Sequence, residues 1–300
     1  MKKVIISGGT GMIGRHLTER LVNSGYEVVI LTRSPKRYNS TEKIRYDKLD
    51  LDDIDYTARL INGSYSVINL AGAGVADKRW TDEYKKEIYD SRINITSHLT
   101  EAINRAEKKP KSFITASAIG IYGDRGEETL TESSAAANTF LAKVCVDWEK
   151  ESDKCSDLVR LVKARIGVVL AKEGGAYPQM ITPFKFFVGG PIGSGKQWLS
   201  WIHIDDICGM FMWCIENPDV VGVYNFTAPN PVTMNDFAGS LGKSVSRPSL
   251  FKVPEFILKL ILGESAAVVL SSQKVLPESA ISTGYNYKYS ILDSALASLV

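Results

Sequence analysis

The sequence predicts an α/β protein built on a doubly wound parallel sheet, with a smaller C-terminal lobe. Three observations predict it. Short apolar strands alternate with amphipathic helices through the first half of the chain. A glycine-rich turn over residues 8–14 joins the first strand to the first helix. Beyond residue 170 the alternation gives way to Gly- and Pro-rich stretches with scattered short elements.

Residues 4–7 (VIIS) are a short strand that runs into the glycines. Residues 12–23 read as a helix, with Ile13, Leu17, Leu21 and Val22 on one side and Gly25 as its stop. Residues 27–32 (EVVILT), 44–46, 66–70 (SVINL) and 112–116 (SFITA) follow as strands, and 82–108 as helix. Residues 140–153 form a helix with Phe140, Leu141, Val144, Cys145 and Trp148 on one face, and 159–169 hold a sixth strand. In the second half, 198–204 and 223–226 suit strands. Residues 207–216, 234–241 and 254–262 suit helices. The expected division is a dinucleotide-binding domain over 1–170, to which 198–216 return. Residues 171–197 and 217–300 then make the smaller substrate lobe.

Composition narrows the function. The 300 residues are 44% hydrophobic and 23% charged, which excludes a disordered or low-complexity chain. Thirty-six basic residues face 34 acidic ones, for a net +2, so no electrostatic footprint for nucleic acid or an anionic membrane is expected. The chain lacks a run of 18 apolar residues, and its start (MKKVIISGGTG) is too short in apolar residues for a leader. Cys145, Cys155, Cys208 and Cys214 have no CxxC spacing, so a reduced, cytoplasmic protein is expected. His16, His98 and His203 are scattered, and no metal site is expected. Helices with apolar faces leave room for a homodimer or a protein partner.

The strongest chemical signal is the turn itself. Gly8, Gly11 and Gly14 let the backbone approach a pyrophosphate, and Thr10, Met12 and Ile13 open a helix whose N-terminus supplies N–H donors. About 20 residues on, the second strand ends in Thr32-Arg33-Ser34 rather than in a carboxylate. Arg33 suits a 2′-phosphate, with help from Arg15 and from Lys36 or Arg37, so NADP(H) is expected over NAD(H). The plainer alternative for Arg33 is an exposed arginine in a loop.

These residues and several further blocks identify a resemblance. The blocks are SGGTGMIG, VINLAGAGVADKRW, SRINIT, SAIGIYGDRGE, FLAKVCVDWE, RIGVVL, GGPIGSGKQWLSWIHIDD and the tail VPEFILKLILGES with VLP. The chain resembles the atypical extended short-chain dehydrogenases of the NAD-dependent epimerase/dehydratase superfamily. This group is often labelled "epimerase family" and sometimes cell-division-inhibitor-like. The resemblance implies a Rossmann sheet with a small C-terminal lobe, and a small-molecule substrate in the cleft between them. It implies that Asn69, Leu70, Ala71 and Gly72 line the adenosine side, and that Asp47 or Asp50 meets the adenine edge.

The resemblance also implies a catalytic Ser, Tyr and Lys with a helper Asn. Ser117 matches the serine and Lys143 the lysine, which would also hold the nicotinamide ribose. The phenol is missing: Thr139 stands four residues before Lys143 and Phe140 comes next. Tyr122, in IGIYGD, is the substitute phenol, with a packed tyrosine as the alternative. Arg92 sits where the helper Asn is expected and is a candidate for an anionic group. Arg79 and Trp80, beside Lys78, and Lys196 and Trp198, near Gln197 and Trp201, pair cations with tryptophans as a planar or anionic substrate would want. Asp205 or Asp206 is expected to cap the helix that follows. Residues 190–196 imitate a phosphate-binding loop, but Gln197 replaces its Ser or Thr. Two functions remain: an NADP(H)-dependent epimerase-like oxidoreductase with an unusual proton donor, or a regulator that senses NADP(H) or acts through a partner.

Overall fold

The apolar runs pair into a seven-stranded sheet in which every neighbour is parallel. The computed structural model describes residues 2–300. In chain order the strands used below are β1 (Lys3–Ser7), β2 (Glu27–Thr32), β3 (Ile44–Lys48), β4 (Ser66–Asn69), β5 (Ser112–Ala118), β6 (Arg160–Ile166), β7 (Val168–Ala171), β8 (Trp201–His203) and β9 (Gly222–Phe226). The main sheet runs β9-β6-β5-β4-β1-β2-β3, so strand order reverses between β1 and β4. A crevice opens at that switch point, beyond the carboxyl ends of the strands.

The helices are α1 (Met12–Asn23), α2 (Ile54–Ile61), α3 (Asp82–Arg105), α4 (Phe140–Ser152), α5 (Tyr177–Lys185), α6 (Ile204–Glu216), α7 (Met234–Ser244) and α8 (Glu255–Leu262). Helices α1 and α6 pack together on one face of the sheet, and α2, α3 and α4 on the other. The strands show why both faces must be covered. Ile6 and Ile30 join Leu17, Ile207 and Phe211 in one core, while Ile5 and Leu31 join Ile61, Leu99 and Phe113 in the other. Successive side chains of a strand point to opposite faces, so an unbroken apolar run needs two cores.

Three boundaries differ from expectation. Gly167 divides the expected strand over 159–169: a Cβ there would lie 2.7 Å from the Ser200 carbonyl oxygen. Beyond it, β7 leaves the main sheet and pairs with β8. The expected strand over 198–204 likewise splits, because Trp198–Leu199 pairs antiparallel with Val232–Thr233 while β8 pairs parallel with β7. Strand β9 lies at the edge of the main sheet, so 222–226 belong there and not to the smaller lobe.

The cap of α6 is also corrected. His203 Nδ1 accepts the Asp205 N–H at 3.1 Å, so His203 is the cap. Asp206 instead accepts the N–H groups of Lys288 (2.7 Å) and Tyr289 (2.8 Å), tying the C-terminal segment to the main sheet's helix layer. Among the described residues no helix is long and apolar enough to cross a membrane.

Candidate functional site

Two cavities take wall residues from the glycine turn and the helix it opens. The first, of about 650 Å³, is lined by Gly8, Thr10, Gly11, Arg33, Ser34, Leu70, Ala71 and Gly72. The turn is close-packed for a backbone reason. Gly8 has φ +78°, and a Cβ on it would lie 2.6 Å from the Leu70 carbonyl carbon. A Cβ on Gly14 would lie 2.5 Å from the Gly8 oxygen. Side chains here would close the crevice that a pyrophosphate needs. The glycine cradle and exposed Arg33 together fit the expected dinucleotide phosphate.

Several expected cofactor residues have other roles. Ile13 turns into the core beneath the sheet. Asn69 is fully buried; its Nδ2 donates to Thr96 Oγ1 (2.8 Å) and its Oδ1 accepts the Ala71 N–H (3.2 Å). It shapes the loop rather than lining the cavity. Arg15 donates to the Thr10 carbonyl at 3.3 Å and so braces the turn. Asp47 holds Tyr56 and Arg45, and Asp50 pairs with Lys48. The cavity wall beside them is Leu49 and Leu51 instead. Sequence reasoning missed Tyr38 and Asn94, which line the cavity from separate elements. It had named Arg37, also in the wall, only as an auxiliary. Tyr38 stacks on Tyr46 with centroids 4.8 Å apart, a pairing of two segments that sequence distance hides.

The second cavity, of about 670 Å³, begins at Met12 and is mostly apolar. Its walls include Trp80, Ile88, Arg92, Ala118, Phe140, Leu141, Val144, Cys145, Trp148, Ile166 and Val168. Helix α4 contributes positions i, i+1, i+4, i+5 and i+8 from Phe140, which is one helical face. That phase overturns the catalytic assignment of Lys143. Lys143 lies on the outer side, with its side chain 70% exposed and Nζ 2.5 Å from Asp147 Oδ2. The pair one residue on, Phe140 and Val144, faces the cavity, and neither carries a proton.

Ser117 and Tyr122 are corrected by the same kind of register argument. Ser117 is 2% exposed and donates to Glu149 Oε1 at 2.7 Å; its neighbour Ala118 faces the cavity. Tyr122 is fully buried, donates to Asn225 Oδ1 (2.8 Å) and accepts from Arg165 Nη1 (3.0 Å). Burial pushes its phenol above the usual range. It is the packed tyrosine of the two readings. Arg165 completes the cluster through two 2.9 Å bonds to Glu149.

Of the expected substrate residues, Trp80 and Arg92 line the second cavity. Trp80 meets Phe140 edge-on at 5.4 Å, and its Nε1 donates to the Val75 carbonyl. Arg92 donates to the Ile88 carbonyl (2.9 Å) and lies over the Trp148 ring at 5.2 Å. Burial pushes its guanidinium below the usual range, and its electrostatic neighbours are Cys145 and Tyr84 rather than a carboxylate. The others are not brought there. Lys196, with Glu255 and Lys259, lines a neighbouring cavity of about 690 Å³ that shares Glu264, Ala267 and Ser271 with the second. Arg79 is exposed against Gly263. Trp198 donates to Glu127 (2.7 Å) beneath Lys274. Trp201 is core. Burial raises the Cys145 thiol to about 11, so it is neutral in the cavity wall.

Comparison with known proteins gives a consistent result. The model of the NAD dependent epimerase/dehydratase family matches residues 4–226, and that of a domain of unknown function (DUF1731) matches residues 253–299. The Arabidopsis thaliana "epimerase family protein SDR39U1 homolog, chloroplastic" is 41% identical, with 99% of this chain and 86% of that protein aligned. "Epimerase family protein YfhF" of Bacillus subtilis is 40% identical, over 99% and 97%. Among solved structures, human epimerase family protein SDR39U1 with NADPH matches with TM-score 0.90 and 31% identity, over 99% of this chain and 98% of that one. A Bacillus cereus UDP-glucuronic acid 4-epimerase, in complex with UDP-glucuronic acid and NAD, shares the fold at TM-score 0.77 and 18% identity, over 98% and 96%.

Proposed function

The chain belongs to the NAD dependent epimerase/dehydratase family, and from that premise we propose that it is an NADP(H)-dependent oxidoreductase acting on a small substrate in the Arg92 cavity. Adjacency along the glycine turn supports the reading: Thr10 and Gly11 line the first cavity, and the next residue, Met12, lines the second. A dinucleotide held across this turn would extend from Arg33 toward Ala118 and Val144. Gly8, Gly11 and the start of α1 would hold its pyrophosphate, and Arg33 with Arg37 its 2′-phosphate. The NADPH of the human relative supports the same choice.

When bound, NADP(H) supplies a hydride donor or acceptor. The chain's own residues do the rest. Phe140, Val144 and Ile166 exclude water from the cavity. Arg92 holds negative charge on a substrate oxygen in a setting of low polarity, where a fixed charge acts strongly. With Thr139 and Phe140 where the phenol is expected and Lys143 turned outward, protons exchange with solvent rather than through α4. The four buried, unpaired cysteines support a reducing compartment, the cytoplasm in this reading.

Single-turnover oxidation of bound NADPH, followed by absorbance over carbonyl compounds and sugar nucleotides, tests the proposal. Loss of the reduced-nicotinamide band with at least one substrate class is expected. A silent panel with NADPH bound would overturn it. That outcome favours the second reading, a regulator, for which α8 offers exposed Phe256, Leu260 and Ile261.

A further inference from the structure

The Arg92 cavity holds a guanidinium that the protein leaves largely without acceptors. Arg92 lies over the Trp148 ring at 5.2 Å and spends one donor on the Ile88 carbonyl. Its charge is not met by a carboxylate. The acid in the wall, Glu264, is already paired with Lys85. Gly72 makes the arrangement possible, because a Cβ there would come within 3.1 Å of the Arg92 guanidinium carbon.

We propose that this cavity binds a monocarboxylate with a compact apolar or aromatic skeleton, its carboxylate held by the free edge of the Arg92 guanidinium. The inference rests on the proposed oxidoreductase reading for its meaning, but not for its test. A guanidinium edge presents two parallel N–H donors, which suit the two oxygens of a carboxylate. A single guanidinium charge neutralises one negative charge and leaves a phosphate dianion half-compensated. The remaining wall, with Ile88, Phe140, Leu141 and Val144, offers apolar contact and few partners for sugar hydroxyls. A bare sugar ring would lose its water there without replacement. A flat apolar skeleton would gain contact on Phe140.

The test is isothermal titration with benzoate, trans-cinnamate, 2-naphthoate and octanoate, each against its neutral amide, with and without saturating NADP+. At least one acid is expected to bind about tenfold or more tightly than its amide. Arg92→Met abolishes that difference while NADPH affinity changes less than about twofold. Arg92→Gln serves if Arg92→Met does not fold. Three results would overturn the proposal: no acid binds, amides bind as well as acids, or phenyl phosphate outbinds every acid. Loss of NADPH affinity with unchanged acid binding would also overturn it, by giving Arg92 to the cofactor. Acid binding together with a silent hydride panel would retain the site and remove the oxidoreductase.

Discussion

Arg165 and Glu149 form a two-point ion pair, 2.9 Å at each contact, beneath the floor of the cleft. Ser117 donates to the same carboxylate and Tyr122 accepts from the same guanidinium. Two of the side chains expected to do chemistry, Ser117 and Tyr122, therefore hydrogen-bond a buried ion pair. Their removal tests structure, not catalysis.

Tyr122→Phe leaves Asn225 Oδ1 and one Arg165 donor unmatched. It is expected to cost roughly 1–3 kcal/mol in urea unfolding and to leave NADPH affinity unchanged. Glu149→Ala strands the buried Arg165 charge and should cost about 3–5 kcal/mol. Loss of NADPH binding by folded Tyr122→Phe would return the phenol to the site.

Lys143→Ala should alter NADPH affinity by less than about twofold, because its only strong partner is Asp147 on the outer helix face. Fluorescence titration measures this directly. A tenfold loss would show that the lysine reaches the ribose after all.

Arg33→Ala should weaken NADPH by about 10- to 100-fold, the worth of one charge-assisted bond, with NADH little changed. Parallel titrations with the two cofactors check it. An equal loss for both would assign Arg33 to adenine stacking rather than to the 2′-phosphate.

His203 sets a pH dependence. Burial holds its imidazole down to about 4, against an ordinary 6.5. Nδ1 accepts the cap N–H, and the Ser298 hydroxyl lies 3.1 Å from Nε2, so the neutral ring fits its surroundings. Unfolded His203 takes up a proton below about 6.5, and the folded form only near 4. The unfolded state binds more protons between those values, so stability falls as pH drops from about 6.5 to about 4, by up to roughly 3 kcal/mol. His98, also lowered by burial, contributes in the same direction. His203→Asn keeps a capping oxygen and should flatten part of that slope in urea titrations at successive pH values.

The thiols should resist modification. Burial raises Cys145 and Cys155 to about 11 and Cys208 to about 12, and Cys214 upward as well. None should react with a disulfide reagent at neutral pH before unfolding. Fast labelling of Cys145 would show the cavity open to solvent and the thiol ionised.

The sequence by itself determined the parallel sheet, the glycine turn and the Arg33 position, because each rests on local spacing. An apolar run, a glycine triplet and a cation after a strand keep their meaning whatever packs on them. It also located Arg92 and Trp80 by their place in the chain. Tertiary structure decided which of two adjacent residues faces the cleft: Ala118 over Ser117 on β5, and Val144 over Lys143 on α4. The physical reason is angular. One residue turns a strand side chain by about 180° and a helix side chain by about 100°. A match uncertain by a single position therefore cannot separate a proton donor from the core. Only the packed sheet, with Glu149 and Arg165 beneath Ser117, fixes that phase.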